Sequence, residues 1–409
     1  MFSRNLTKAL YSKTTFLLAG ICLSALLGEI FLRLIAPNIP SIYSLVNVKT
    51  TALKAQSIEE FTKLNAMPAF KDWRGYYTNS WGMNDLEFDA SSADNRIFVL
   101  GDSQTYGMVP YWANNISIAE DIITKSCQGK AFELFNLGVP GAGLLEYKKV
   151  FELTHEKLRP QTVLLNFYMG NDSPDVYRSK ANLYPVTDGL NKSYFYTFVR
   201  NSFIALSGVS QTAKQSSKRL TEHTSEKVRG GNKTGTEIPA SDNDPAMTGP
   251  TFTGDEWQKV ARFEVNTLYT GSDSTAMWNQ TYHVLDEIKE QVEKANAKLI
   301  IAFYPSEAQV DPKRLSEAVG YVESYYNRDD LSQSDYDNDL PQKKLKSYCE
   351  MRKLACLDLT PSLKAEFLRT GETLYIRQDT HLNLKGNRHA GEALGRFLNK
   401  ILCTRGSDH

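Results

Sequence analysis

From Arg96 onward, short apolar runs bounded by polar turns alternate with longer stretches in which apolar residues recur every three or four positions. The runs Ile97–Leu100, Phe132–Leu137, Thr162–Tyr168, Lys298–Tyr304 and Ala355–Leu359 have the length of strands. Amphipathic stretches near Ile116–Lys125, Leu144–Lys157, Ala276–Asn296, Gln342–Lys353 and Lys385–Ile401 have the period of helices. A strand followed by a polar turn and a helix, repeated along the chain, predicts an α/β fold. It would be doubly wound, three layers α/β/α around a mainly parallel five-stranded sheet.

The start of the chain follows a different pattern. Arg4, Lys8 and Lys13 precede an uncharged run from Thr14 to Gly28, which continues apolar to Leu32 and ends near Pro37. This predicts a cytoplasmic segment over 1–14 and one transmembrane helix over 15–37, with the amino terminus inside by the excess of basic residues before the span. Glu29 and Arg33 fall one helical turn apart, in the order that favours pairing at a membrane interface. A cleaved signal peptide is the rival reading, because the uninterrupted run is short for a span. Either reading exports the remainder, so the expected location is a bacterial periplasm or another extracytoplasmic space.

Residues 38–72 show no sustained period and read as a stalk; the main domain would occupy 73–409. Two stretches interrupt its rhythm. Residues 207–254 are rich in Ser, Thr, Gly, Lys and Asn, a composition expected of a disordered insertion. Residues 306–341 carry an acidic run. Asp335, Asp337 and Asp339 imitate the opening of a calcium loop, but Leu340 and Lys346 stand where such a loop needs glycine and glutamate, so a solvated charge run is the better reading.

Composition narrows the function classes. With 409 residues, 41% hydrophobic, 23% charged and no formal net charge, the chain has the makings of a globular core and no sequence-wide field to attract nucleic acid. No nucleotide-binding loop or closed set of metal ligands appears, so no cofactor is expected.

The candidate chemistry sits at the ends of the predicted strands. Phe98-Val99-Leu100 runs straight into Gly101-Asp102-Ser103, which would leave a serine hydroxyl at the carboxyl end of a strand, where open α/β sheets place their sites. On its own the tripeptide is an ordinary turn. Asn136-Leu137-Gly138 follows the second strand, Gly170-Asn171-Asp172 the third, and Asp379-Thr380-His381 lies near the carboxyl terminus. In an extended segment Asp379 and His381 project to one side, so the carboxylate would reach one ring nitrogen while the other faces Ser103. Gly138 permits close approach to a substrate oxygen, and Asn171 offers an amide donor. The bland readings are a bend at Gly138, a turn cap at Asn171 and a structural histidine at His381.

Together, in this order, these segments resemble the SGNH/GDSL hydrolase family. The resemblance implies Ser103 as nucleophile, His381 as base and Asp379 as its orienting acid. It implies an oxyanion hole from the N–H groups of Ser103 and Gly138 with the Asn171 amide. Asp102, beside the serine, is read as a turn-stabilising residue. The lead-in Thr78-Asn79-Ser80-Trp81-Gly82-Met83-Asn84 is similar to that of membrane-anchored bacterial members, with Asn84 where they carry arginine. Most members place the aspartate three residues before the histidine, where this chain has Gln378. The closer Asp379 is similar to the alginate O-acetyltransferase branch, which moves an acyl group onto a polysaccharide.

The expectation is therefore an exported, membrane-anchored serine esterase or acyl transferase acting on a small O-acyl group of a glycan. Its partners would be an ester-bearing glycan or small ester and the lipid bilayer. A lipase or carboxylesterase on lipid-like esters, and a non-catalytic glycan-binding module, are the alternatives. Setting Cys22 aside, Cys127, Cys403, Cys349 and Cys356 remain, as two disulfides or four buried thiols. In a doubly wound sheet the first and last helices commonly run alike on one face, which would bring Cys127 to Cys403. Cys349 and Cys356 would then join a helix to the strand it feeds. Trp81, Tyr106 and Tyr168 either pack in the core or stack on a sugar.

Overall fold

Five strands of Val, Leu, Ile and Phe form a wholly parallel sheet: β1 (Asn95–Gly101), β2 (Phe132–Gly138), β3 (Thr162–Tyr168), β4 (Lys298–Tyr304) and β5 (Ala355–Asp358). The order across the sheet is β2-β1-β3-β4-β5. Every residue of β3 is buried, as expected of a central strand covered on both faces. The computed structural model describes residues 20, 22–35, 53, 55–65, 78–91, 95–127, 130–180, 195, 251–252, 254–326 and 333–403.

Two helical layers cover the sheet. On one face α1 (Asn115–Ser126), α5 (Thr360–Thr370) and α6 (Leu384–Leu402) bury Ile116, Ile123, Leu363, Leu394 and Leu398 against Val99, Leu164 and Ile300. On the other, α2 (Leu144–Leu158), α3 (Ser272–Lys294) and α4 (Leu340–Arg352) bury Phe151, Ile288, Val292 and Tyr348 against Phe98, Leu165 and Ile301. Helices α1 and α6 approach closely through two glycines: a Cβ at Gly391 or Gly395 would fall 2.8 Å from the Cβ of Ile118 or Ile122. Disulfides Cys127–Cys403 and Cys349–Cys356 join these elements, with Cα atoms 5.5 and 6.4 Å apart. The first links the carboxyl ends of α1 and α6.

Because β2 is an edge strand, its free backbone donors must be satisfied without a neighbour. Side chains supply the acceptors at alternate residues. Glu120 Oε2 takes the Leu134 N–H at 2.6 Å, Asp85 Oδ2 takes Asn136 N–H at 2.8 Å, and Asn136 Oδ1 takes Gly138 N–H at 3.0 Å.

Several segments differ from expectation. Residues in the presumed stalk form the helix Ile58–Asn65, and Ala55, Ile58 and Phe61 join the core under α2. At eight residues the helix is shorter than the window over which an apolar period can be read. Between residues 306 and 341, ahead of the charge run at Asp335, Asp337 and Asp339, helix Pro312–Tyr326 buries Leu315, Ala318, Val319 and Val322 on one face. These pack with Trp257, Ala261 and Val265 from helix Asp255–Glu264 and its continuation. Asp337 pairs with Lys343 at 2.7 Å.

The chain divides into two compact units, residues 1–51 with 184–240 and residues 52–183 with 241–409. The sheet and its helices belong to the second. In the first, residues 22–35 are helical, and Glu29 accepts from Arg33 Nε at 2.6 Å and from the Phe195 N–H at 2.8 Å. Among the described residues no helix is long and apolar enough to cross a membrane. Residues 15–19, 21, 36 and 37 of the expected span, and nearly all of the insertion 207–254, lie outside the described residues.

Candidate active site

The chain leaves β1 for β2 on one side and then crosses to β3 on the other, so the sheet's switch point opens a crevice between the carboxyl ends of β1 and β3. Ser103 stands at its mouth. Strand β1 ends at Gly101, and the short helix Ser103–Tyr106 begins at once, with Asp102 as its cap: Asp102 Oδ1 accepts the Gln104 N–H at 2.8 Å. The turn beyond is held by Asn84, whose Nδ2 lies 3.0 Å from each of the carbonyls of Tyr106, Gly107 and Val109.

His381 reaches the crevice from a hairpin near the carboxyl terminus. Tyr375 and Leu382 pair antiparallel, Ile376 N–H donates to the His381 carbonyl at 2.9 Å, and residues 377–380 make the turn. Gln378 in that turn has φ 48°, a left-handed conformation that a glutamine adopts at some cost. Asp379 thus sits in a turn and not in the extended segment expected for it. Its Oδ1 accepts the N–H groups of Thr380 at 2.6 Å and His381 at 3.2 Å, and it also bonds His381 Nδ1. The opposite ring nitrogen, Nε2, lies 2.7 Å from Ser103 Oγ. Serine, imidazole and carboxylate therefore form one hydrogen-bonded row, assembled from residues 278 apart in sequence.

The electrostatics of this row are distinctive. Burial alone would push Asp379 up, yet the charge and hydrogen bond of His381, helped by Thr251, hold its carboxyl below the usual range. Burial opposes the charged imidazole in turn, but Asp379 outweighs it and His381 is raised. Asp102, fully buried, is pushed up to about 6 by desolvation against the opposing pull of the Gln104 N–H and His381. Glu264, at the end of its helix and bonded by the Tyr168 hydroxyl, is raised by burial to about 8.

No family model matches the chain, and no curated protein matches it. Solved structures that resemble it include an acetyl xylan esterase, AlAXEase, at 12% identity over 73% of this chain and 97% of that one, with a TM-score of 0.36. A lipase/acylhydrolase from Enterococcus faecalis is 12% identical over 75% and 96%, with a TM-score of 0.37. LAE5, an alpha/beta hydrolase enzyme from the metagenome of Lake Arreo, Spain, is 12% identical over 77% and 98%, with the same TM-score of 0.37. Similarity this distant carries no argument about chemistry, which rests on the residues of the crevice.

Of the residues singled out from the sequence, Ser103, His381 and Asp379 come together. Asn171 is adjacent: its side chain is near enough to Asp102 to favour that residue's charged form, and its Oδ1 is buried with no protein partner. Gly138 departs from expectation. Its N–H is engaged by Asn136 Oδ1, and a Cβ there would strike the backbone of Thr105 and Tyr106, so glycine is needed to let the serine-bearing helix lie on β2. Trp81, Tyr106 and Tyr168 are buried. Among the described residues, no group of three or more His, Cys, Asp or Glu side chains is arranged to hold a metal ion. Sequence reasoning missed Gln104 and Asn84, whose partners are backbone atoms distant in sequence.

Proposed function

We propose that this chain is a serine acyl hydrolase or acyl transferase with Ser103, His381 and Asp379 as its triad. The observation that carries the reading is the continuous row from Ser103 Oγ through both imidazole nitrogens to the Asp379 carboxylate. In the first half-reaction Ser103 Oγ bonds to the acyl carbon while its proton passes to His381 Nε2. Asp379 stabilises the imidazolium, and the departing alcohol oxygen takes the proton back from Nε2 as its bond to the acyl carbon breaks. In the second, water or an acceptor hydroxyl attacks the acyl-enzyme, again giving its proton to Nε2, and Ser103 Oγ takes that proton back as its bond to the acyl carbon breaks. Water as acceptor makes an esterase, and a sugar hydroxyl makes a transferase.

The oxyanion donors in this reading are the Ser103 N–H, at the start of its helix, and the Asn171 amide. The substrate is a small O-acyl group, acetyl by preference, on an envelope or secreted glycan. Support for that finer assignment comes from the Asp379-Thr380-His381 spacing. The basic residues before an apolar amino-terminal run support export and anchoring, and the cysteine pairs suit an oxidising compartment.

Covalent labelling by a fluorophosphonate, with mapping of the modified residue, tests the chemistry. Label on Ser103, absent from Ser103→Ala, is the expected result; an unlabelled wild type would remove the enzyme reading and leave a binding module. Release from chromogenic acetate against long-chain esters, with and without an oligosaccharide acceptor, separates glycan esterase, transferase and lipase.

A further inference from the structure

Gln104 follows the presumed nucleophile, but its side chain is directed at the histidine. Across the crevice it bonds the backbone on both sides of His381: Nε2 donates to the Thr380 carbonyl at 2.5 Å, and Oε1 accepts the Leu382 N–H at 3.2 Å. A primary amide has the donor and acceptor of a peptide unit, so Gln104 pairs with this segment as a neighbouring strand would. It is 4% exposed, and its bond to the Leu382 N–H is buried.

A second connection runs beneath it. Asn387, in the first turn of α6, donates from Nδ2 to the carbonyls of Leu382 at 2.9 Å and Asn383 at 3.0 Å. Its Oδ1 accepts from Asn115 Nδ2 at 2.8 Å and from the Asn115 N–H at 3.3 Å. Asn115 Nδ2 in turn lies 3.2 Å from the Gln104 carbonyl. Tyr304 closes the arrangement from β4, its hydroxyl donating to Asn115 Oδ1 at 2.8 Å. The result is a closed ring of buried amides from Gln104 to the His381 segment, to Asn387, to Asn115 and back to Gln104.

We infer that Gln104 is a positioning residue, which sets the distance and angle between the His381 imidazole and the Ser103 hydroxyl through a ring completed by Asn115 and Asn387. This rests on the acyl-transfer reading above and deepens it. The Ser103–His381 contact joins opposite ends of the chain, and Asp379 constrains only one edge of the ring. Without the Gln104 side chain, that contact would be the one direct tie between the His381 segment and the serine turn, beside the indirect path through Asn387 and Asn115. The bonds from the Thr251 and Phe252 N–H groups to the Arg377 and Gln378 carbonyls hold the hairpin turn from another side. A displacement of about 1 Å at such a contact is enough to cost about 100-fold in rate.

Glutamate at this position gives the inference a sharp signature. A protonated carboxyl keeps both functions, an O–H toward the Thr380 carbonyl and a carbonyl for the Leu382 N–H. An ionised one keeps only the acceptor and faces the Thr380 oxygen with like polarity. A group that only fills space would not respond to pH in this way.

The test uses the full-length chain in detergent. Fluorophosphonate labelling rates are measured against pH for wild type, Gln104→Leu and Gln104→Glu, beside thermal transitions followed by circular dichroism. In parallel, the downfield proton NMR signal of His381 Nδ1–H, assigned by its loss in His381→Gln, reports imidazole placement without any substrate. Expected for Gln104→Leu is a labelling rate about 100-fold lower, with the cooperative transition retained and the downfield signal lost. Gln104→Glu should label near the wild-type rate at the acid end of the working range and fall away at alkaline pH, where wild type holds a plateau. If Gln104→Leu fails to fold, the two arms of the Gln104→Glu profile still decide the matter. Gln104→Leu that keeps the signal and labels at the wild-type rate, or a Gln104→Glu profile parallel to wild type, overturns the inference. A wild type that shows the signal yet takes no label sinks the acyl-transfer reading, and the NMR comparison then judges Gln104 by itself.

Discussion

Buried carboxyl groups flank the serine turn on two sides and behave oppositely. Toward the free edge of β2, Asp85 lies well above the usual carboxylate range and Glu120 is raised to about 7, each chiefly by burial. Toward β3 and the terminal hairpin, Asp379 is more deeply buried than either, yet it is held low because an imidazole stands against it. At the edge, each acid accepts a backbone N–H that no neighbouring strand takes. In the crevice, the acid accepts backbone N–H groups and a histidine that is itself in contact with a hydroxyl. A displaced pKa alone therefore does not mark a site in this protein. Lowering in a deeply buried carboxyl does: Asp286 and Asp337 are lowered by surface cations, whereas Asp379 is lowered against a large cost of burial by its imidazole partner.

Exchanging the acids for their amides tests this contrast most severely. Asp379→Asn should lower the labelling rate of Ser103 roughly 10⁴-fold, because the amide no longer fixes the imidazole tautomer or stabilises its cation. Glu120→Gln should leave labelling unchanged. The pH profile adds a sign: wild-type labelling needs neutral His381 and should rise with a midpoint above 6.5, the ordinary value for the group. In Asp379→Asn the largest remaining influence is burial, which disfavours the cation, so the residual rate should have its midpoint shifted down. Equal losses in both variants, or no shift in midpoint, would dissolve the distinction between the two regions.

Removing the covalent tie between them comes next in size. The Cys127–Cys403 bond closes a loop of 276 residues and joins the helix that follows the serine turn to the helix that follows His381. Replacing both cysteines by serine should lower unfolding stability by about 2–5 kcal/mol in chemical denaturation. Labelling of the folded fraction should survive, since the amide ring and not the disulfide lies at the crevice. Smaller again is Asn84→Ala, which deprives the Gly107 and Val109 carbonyls of their 3.0 Å donor. A loss of about 1–3 kcal/mol is expected. Because the serine turn loosens with it, a fall in labelling should accompany that loss, unlike the disulfide variant.

The sheet was legible because its strands are short apolar runs between turns, and periodicity reports burial directly. All five strands fall within a few residues of where the pattern puts them. The row of Ser103, His381 and Asp379 was legible as a resemblance, since Ser103 sits in a recognisable turn at a strand end and Asp379 and His381 in a recognisable pair ahead of the last helix. What the sequence concealed depends on which backbone atom a side chain meets. Gln104 and Asn115 are indistinguishable in composition from surface amides until the fold sets them opposite Thr380, Leu382 and Asn387. Gly138 shows the opposite error: a glycine near the site has two uses, access for a substrate or access for a neighbouring helix. The crowding by Thr105 and Tyr106, with an N–H already bonded to Asn136, identifies the second.

The finest test concerns the edge itself. Glu120 uses a single oxygen, Oε2, to accept the Leu134 N–H, so glutamine can keep the bond and remove only the charge. With a folded-state pKa near 7 against an ordinary value of 4.5, the wild-type carboxyl binds its proton more tightly folded than unfolded. The stability it contributes is therefore fully present below the unfolded value and is lost as pH rises through about 7. Glu120→Gln should match wild type in thermal stability near pH 4 and exceed it near pH 8.5, where wild type must bury the anion. Glu264 and Glu307, raised to about 8 and about 7, impose the same slope on both proteins and so cancel in the comparison. A variant less stable than wild type at pH 8.5 would mean that the charge on Glu120 strengthens the edge more than its burial weakens it. The edge acids would then be closer in kind to Asp379 than their raised pKa values imply.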